Sequence, residues 1–220
     1  MFSTLSVSLD QNETIIAQPE SMVSMTTGIE LAARAGGQTG QGVKGGLRIL
    51  MSGESFFATV FRAKRDGQSL ILAPKLQGDI VHLSIKEGNR FFLTQGSYLA
   101  NDPNVVIDFK YGGVRGLMAK KGLYVMHTQG DGDLFCATYG AVIYRELAAD
   151  ETFVVDNRFV VAFSDTVQFQ LVKATKKAVD SYLSGEGFVN RYTGPGTLIY
   201  QTRANPFSGS MFAKLIAWVS

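Results

Sequence analysis

SGESFF, at Ser52–Phe57, is the stretch that decides the fold, because the chain repeats it. It returns as SGEGFV at Ser184–Val189, and a weaker copy, KGLY at Lys121–Tyr124, lies between the two. The apolar residues that follow the glycine in the three copies are about 65 positions apart, which is the period of one repeated supersecondary unit. The sequence therefore predicts an architecture built from three copies of one unit.

Short β-forming runs separated by turn residues fill the chain. Ile80–Ile85 and Phe159–Phe163 are rich in β-branched and aromatic residues, and Val167–Leu171 alternates apolar and polar side chains as a half-buried strand does. Gly, Asn, Asp and Pro interrupt such runs at short intervals, as at Glu87–Asn89 and Gly194–Gly196. This pattern predicts an all-β fold of the sandwich or barrel type.

The repeats divide a single domain, residues 1–220, into three units. Each unit opens with two short apolar runs and continues, after a variable connection, through the glycine step into further strands. The predicted units are about 10–86, 87–148 and 149–204.

The third unit stops near Arg203, without the last strand that the other two units possess. The missing strand is expected at the other end of the chain, where Leu5–Leu9 leads into a polar turn and the next unit as Leu83–Ile85 does. We therefore expect residues 1–9 to complete the third unit and close a pseudo-threefold ring. Closure would remove the open strand edges that otherwise invite aggregation.

Two segments fall outside the repeat. Residues 36–46 form a glycine-rich stretch in which Lys44 is followed by Gly45 and not by the Ser or Thr of a phosphate-binding loop, so we interpret it as a connection. The tail, residues 205–220, is expected to form a short helix. Its apolar residues lie at the spacing of one helix face: Phe207, Met211, Leu215 and Trp218.

Composition excludes several classes of protein. The 220 residues are 45% hydrophobic and 18% charged, so the chain is expected to fold, and its net charge of +2 does not suggest a dedicated nucleic-acid binder. A single cysteine, Cys136, allows no intramolecular disulfide. The N-terminal residues have neither the pattern of a secretory signal nor that of a transit peptide, so we expect a cytoplasmic protein.

Several motifs together carry a resemblance to a known family. They lie between Pro19 and Arg203: Pro19–Val23, Ser52–Phe57, Leu72–Pro74, Gly78–Ile80, Val155–Asn157, Val161–Phe163, Ser184–Gly187, Gly194–Gly196 and Gln201–Arg203. With these motifs the chain resembles the mitochondrial-biogenesis family named for altered inheritance of mitochondria (member twenty-four), which has many bacterial members. This resemblance implies double-stranded β-helix-like sandwich units similar to the tryptophan RNA-binding attenuation protein, and a scaffold or membrane-organising role. It supplies no catalytic residue and no cofactor.

The two histidines are weak candidates for a metal site. His82 aligns with Tyr144 of the next unit, and His127 aligns with Val60 and Tyr192, so both positions are interpreted as packing sites. A mononuclear metal site of the cupin type needs several converging His or carboxylate ligands. No such constellation is visible, and no metal, cofactor or catalytic residue is predicted.

Other reactive side chains have simpler interpretations. Glu54 and Glu186 share the Ser-Gly-Glu context and are expected at equivalent turns, too far apart for acid/base catalysis. Cys136 lies in a predicted core strand and is expected to be inert. Asp131 and Asp133 lack the distal Glu of a calcium loop. The remaining basic residues are interpreted as a solvated face: Lys173, Lys176, Lys177 and Arg191.

These observations favour a non-enzymatic scaffold or interaction protein that self-associates, as a homo-oligomer for which a trimer is favoured. An RNA-binding or small-ligand-binding module is the first alternative, and a metal-dependent cupin-like enzyme is the second. A membrane surface is an alternative partner for the apolar tail, although only Lys214 supplies positive charge there.

Overall fold

The computed structural model describes residues 2–35, 57–94, 96–108, 125–173 and 188–204. These residues form strands β1 to β18 and no helix, which confirms the predicted all-β class. No helix able to cross a membrane is therefore found among them. The stretches 36–46 and 205–220, and with them the expected C-terminal helix, lie outside the described residues.

The strands are four to seven residues long. In chain order they are β1 Leu5–Leu9, β2 Thr14–Ala17, β3 Met22–Met25, β4 Ile29–Ala35, β5 Phe57–Ala63, β6 Gln68–Leu72, β7 Ile80–Ile85, β8 Phe91–Thr94, β9 Tyr98–Asn101, β10 Val105–Asp108, β11 Val125–Gly130, β12 Gly132–Ala137, β13 Val142–Leu147, β14 Thr152–Asp156, β15 Val160–Ser164, β16 Gln168–Lys173, β17 Phe188–Thr193 and β18 Gly196–Gln201.

Turn residues with a left-handed backbone set three of the strand boundaries. Asn12 (φ 72°), Gly88 (φ 76°) and Asp150 (φ 62°) lie between β1 and β2, between β7 and β8, and between β13 and β14. Gly adopts this conformation without steric cost, and Asn and Asp tolerate it better than other residues. The chain therefore reverses direction at three comparable places, each just before a strand.

The strands form four antiparallel sheets. Sheet I has the order β1-β6-β3, and sheet IV has the order β14-β17-β16. Sheet II has the order β4-β5-β2-β9-β12-β7, and sheet III has the order β10-β11-β8-β15-β18-β13. Two sheets therefore have three strands and two have six.

The six-stranded sheets each consist of two triplets joined edge to edge. We call the triplets centred on β5, β11 and β17 the β5-type triplets, and those centred on β6, β12 and β18 the β6-type triplets. In sheet II a β5-type and a β6-type triplet meet where β2 pairs with β9, and in sheet III they meet where β8 pairs with β15. We call these two strand pairs the junctions. Sheet I is a β6-type triplet alone, and sheet IV is a β5-type triplet alone.

The N-terminal strand belongs to sheet I. Along its whole length β1 pairs with β6, from Leu5 opposite Leu72 to Leu9 opposite Gln68. The strand that was expected to complete the third unit thus pairs within the segment 10–86. It holds the same place beside β6 that β7 holds beside β12 and that β13 holds beside β18.

Three hydrophobic clusters form the core, and each draws on two sheets. One, which includes Leu70 and Phe61, lies between sheets I and II. The second, which includes Leu134 and Leu93, lies between sheets II and III. The third, around Phe163, lies between sheets III and IV. Successive sheets therefore pack face to face, and sheets I and IV stand at the two ends of the series.

Candidate functional site

Strand β3 is an open edge with apolar side chains. It pairs with β6 on one side, and on its other side no strand of the described residues pairs with it. All four of its residues are exposed, among them Met22, Val23 and Met25. An apolar edge strand without a charged residue is a template for pairing with another chain.

The strands that hold the same place in sheets II and III are covered. β9 and β15 pair with the central strands β12 and β18 as β3 pairs with β6, and all three contain a register shift at the same point. Leu99 and Val161 at that point are 0% and 1% exposed, whereas the corresponding Val23 is 58% exposed. The difference arises because β2 covers β9 and β8 covers β15, whereas no described strand covers β3.

Strand β14 is the complementary open edge. It pairs with β17, which corresponds to the pairing of β2 with β5 and of β8 with β11. β2 and β8 each have a second partner at a junction, whereas β14 has no second partner among the described strands. Val154 at its centre is 51% exposed, whereas the corresponding Ile16 and Phe92 are 8% and 6% exposed. We refer to β3 and β14 together as the free edges.

The two junctions share one register. Ala17 lies opposite Ala100 where β2 meets β9, and Leu93 lies opposite Ala162 where β8 meets β15. The residue on β9 or β15 is alanine in both pairs, and it lies opposite Ala17 in the first and the larger Leu93 in the second. Both junctions are therefore built in the same way.

Further hydrogen bonds at the strand ends extend the junctions. The Gln18 backbone amide donates to the Leu99 carbonyl (2.8 Å) beside the first junction. At the second junction the Thr94 hydroxyl donates to the carbonyls of Val160 (2.6 Å) and Val161 (3.2 Å). Leu99 and Val161, the residues at the register shift, thus both accept a hydrogen bond from the neighbouring triplet.

Ion pairs lie beside both free edges. Near β3, Lys75 Nζ lies 2.7 Å from Glu20 Oε2, and this contact lowers the pKa of Glu20. At the end of β14, Arg158 binds Asp156 at 2.6 Å.

Before β14, Glu151 accepts hydrogen bonds from the Ala148 amide (2.9 Å) and the Arg145 guanidinium (2.8 Å), which lower its pKa. The same guanidinium lies 4.1 Å from the centre of the Phe153 ring. The apolar residues of both edges are thus flanked by ion pairs.

The histidines lie in separate places. His82 on β7 is exposed, with Nε2 2.8 Å from Asp133 Oδ1 and its ring stacked on Phe135. His127 on β11 is buried against the ring of Phe92, with Nε2 3.5 Å from Asp165 Oδ2. Within the described ranges, no group of three or more His, Cys, Asp or Glu side chains is placed to hold a metal ion.

Cys136 lies in the core strand β12 and is buried, as the sequence predicted. Burial raises the pKa of its thiol to about 12, so the reactive thiolate is scarce at neutral pH. The structure thus supports the interpretation of Cys136 as an inert packing residue.

Asp131 is exposed in the turn between β11 and β12, and Arg191 is exposed on β17 directly opposite Val154. Lys173 ends β16. The remaining candidates lie outside the described residues and stay predictions: Glu54, Glu186, Lys176 and Lys177.

Sequence reasoning did not identify the free edges, because it expected a closed ring. The available signal was local and weak. Met22–Met25 contains three apolar residues and no charge, unlike a protected edge strand. The same pattern is also typical of a buried strand, and the aligned strand Tyr98–Asn101 is indeed buried.

Comparison with known proteins agrees with the all-β fold. A family model described as "Mitochondrial biogenesis AIM24" matches residues 1–203. An uncharacterized protein of Streptococcus pyogenes serotype M6 is 29% identical over 217 residues, which cover 96% of this chain and 86% of that protein. A crystal structure of a Streptococcus pyogenes protein is similar with a TM-score of 0.73 at 27% identity, covering 100% of this chain and 95% of the other.

Proposed function

The chain belongs to the mitochondrial biogenesis AIM24 family, and from that premise we propose that it is a non-enzymatic scaffold protein that self-associates. One observation carries the proposal: Val23 on β3 is 58% exposed, whereas the residues in the same place on β9 and β15 are buried. Described strands cover the equivalent edges of β9 and β15, and none of them covers β3, so this apolar edge is suited to pairing with another chain. Because both free edges are apolar, leaving them in water is unfavourable.

We further propose that the chain is a pseudo-threefold repeat of one β unit, within one domain. Three observations support this. The pairings of the β5-type and β6-type triplets recur three times, the register shift recurs in β3, β9 and β15, and a residue with positive φ recurs before β2, β8 and β14. A third junction would join sheets I and IV through β3 and β14, but these two strands do not pair with each other in the described residues.

The reactive side chains of the described residues support a non-enzymatic role. Cys136 is sealed in the core, His82 has a single carboxylate partner at the surface, and His127 is packed against Phe92. A general base or nucleophile needs a partner that activates it beside a place where substrate can bind. These three residues lie on three different strands, β12, β7 and β11.

Size-exclusion chromatography with light scattering of the full chain tests self-association. A mass above the 23.9 kDa of one chain is expected, with three chains as the favoured number. The apparent mass should fall on dilution if association is reversible. A single-chain mass at every concentration would contradict the proposal.

A further inference from the structure

Resting on the proposed self-association, we propose that strand β14 of one copy pairs with strand β3 of a second copy. The pairing is antiparallel, with Val154 opposite Met25 and Val155 opposite Ser24. It rebuilds between chains the junction that joins the triplets within sheets II and III. Sheet IV of one copy and sheet I of the next then form one continuous six-stranded sheet.

The register on the β3 side follows from the central strands. Met25 lies opposite Leu70 on β6, Asn101 lies opposite Leu134 on β12, and Phe163 lies opposite Leu198 on β18. Each of these pairs lies two residues after the residue at the register shift. Met25 therefore corresponds to Asn101 and Phe163, and Ser24 corresponds to the preceding alanine in each strand.

The register on the β14 side follows from the turns. Ile16, Phe92 and Val154 each lie four residues after the positive-φ residue that precedes the strand. Ile16 lies opposite Asn101 at the first junction, and Phe92 lies opposite Phe163 at the second. The same relation places Val154 opposite Met25.

The side chains fit this register. Ser24 takes the place of two alanines, so a small side chain would lie opposite Val155 as Ala162 lies opposite Leu93. Val154 and Met25, 51% and 37% exposed, would cover each other. The pairing thus hides the most exposed apolar residue of β14.

Backbone groups also match. Asp156 holds the place of Gln18, whose amide donates to the carbonyl of Leu99, and Val23 holds the place of Leu99. An Asp156 amide bonded to the Val23 carbonyl would repeat that contact. The Asp156 carboxylate, the one charged group on β14, keeps its ion pair with Arg158 in this arrangement.

A second copy is the occupant that the molecule itself specifies. Among the described strands, each chain has one free edge of each kind, β3 and β14, and the in-chain junctions pair the equivalent strands of the other repeats. Because the edges differ, the contact is heterologous, and repeated contacts close into a ring or extend as a filament. An unrelated partner would have to reproduce both the register and the bend of β3.

Cysteine cross-linking tests the register. Residues directly opposite each other in an antiparallel pair can reach the Cβ separation of a disulfide. Val154→Cys and Met25→Cys in one chain should give a ladder of covalent multimers under mild oxidation, on non-reducing gels. Equal amounts of the two single variants should give one cross-linked dimer and nothing larger. Buried Cys136 leaves the introduced thiols as the reactive ones among the described residues.

Thr152→Cys with Met25→Cys is the matched control, because Thr152 is exposed on the same face of β14 but two residues out of register. It should cross-link far less than the Val154 pair. The pairing is overturned by a disulfide within one chain, by equal cross-linking of either single variant with itself, or by no cross-link in an assembly that light scattering still detects. The last result leaves self-association intact and rejects only this contact, whereas a monomer by light scattering rejects both.

A charge placed on the edge gives an independent test. Val154→Lys should weaken assembly at least about tenfold, because the pairing would bury an unpaired ammonium group. Gln170→Lys is its control, since Gln170 is exposed on β16, at the other edge of the same three-stranded sheet and opposite the same Arg191. It should leave assembly unchanged. Equal assembly of the two variants, with circular dichroism showing both folded, would overturn the proposal.

Discussion

Leu93 on β8 lies directly opposite Ala162 on β15, and this pair helps join two triplets into sheet III. Both side chains are fully buried. The next pair along, Phe92 opposite Phe163, places two rings 5.3 Å apart. The junction is therefore part of the core as well as a seam between triplets, and its stability can be measured by mutation.

Phe163→Ala should destabilise the protein by about 3–5 kcal/mol, the usual cost of removing a buried aromatic side chain. Its ring contacts the rings of Phe92, Phe169 and Tyr192 at centroid distances of 5.1–5.3 Å. Urea denaturation followed by circular dichroism measures the change. Val23→Ala, at an exposed position, is the control and should shift the free energy of unfolding of dilute protein by less than about 0.5 kcal/mol. Similar losses in both variants would contradict the assignment of Phe163 to the core.

Gly88→Asn should be close to neutral, and Gly88→Val should destabilise by about 1–2 kcal/mol. Gly88 has φ 76°, and an added Cβ would meet no atom within 4 Å, so the cost is one of backbone conformation alone. Asn12 adopts nearly the same φ in the corresponding turn. Thermal melting should show the Val variant lower by about 2–4 °C per kcal/mol. Equal melting temperatures for the two variants would argue against the shared turn conformation.

Cys136 should not react with a thiol reagent at pH 8 while the protein is folded. Its thiol is buried, and its pKa is raised to about 12 by loss of solvation, so both access and thiolate are lacking. In denaturant one thiol per chain should react, since the sequence contains one cysteine. An aromatic disulfide reagent that releases a coloured thiolate measures the reaction in the folded and in the denatured protein. Rapid labelling of the native protein would show that β12 opens readily.

Glu151→Gln should lower stability at neutral pH and have little effect in acid. The Ala148 amide and the Arg145 guanidinium hold the pKa of Glu151 below its unfolded value, so the contribution to stability is present above that unfolded value, about 4.3. It is lost as pH falls through the folded pKa. Urea midpoints of wild type and variant at pH 7 and pH 3 check this. A larger difference between the two urea midpoints at pH 3 than at pH 7 would contradict the prediction.

Local sequence signals predicted the strands well. Ile80–Ile85 was expected as a strand and is β7, and the expected strands Phe159–Phe163 and Val167–Leu171 lie mainly in β15 and β16. β-branched and aromatic residues between turns favour strands. The burial of Cys136 was predicted for the same reason. These features depend on residues close together in the sequence.

The free edges depend on residues far apart. Whether Met22–Met25 and Thr152–Asp156 meet is decided by how successive sheets are oriented, and no short pattern encodes that. The candidate surface could be identified only when the exposure of β3 was compared with that of β9 and β15.

The location of the two free edges on different strands, at opposite ends of the series of sheets, gives any assembly built from them a direction. An open, filament-like assembly presents Met22–Met25 at one terminus and Thr152–Asp156 at the other, whereas a closed ring, such as the favoured trimer, presents neither. A cellular factor that recognises one terminus could cap it while growth continued at the other. Length would then be controlled by the supply of caps, in the manner of a polar filament, with no change in the fold of the subunit.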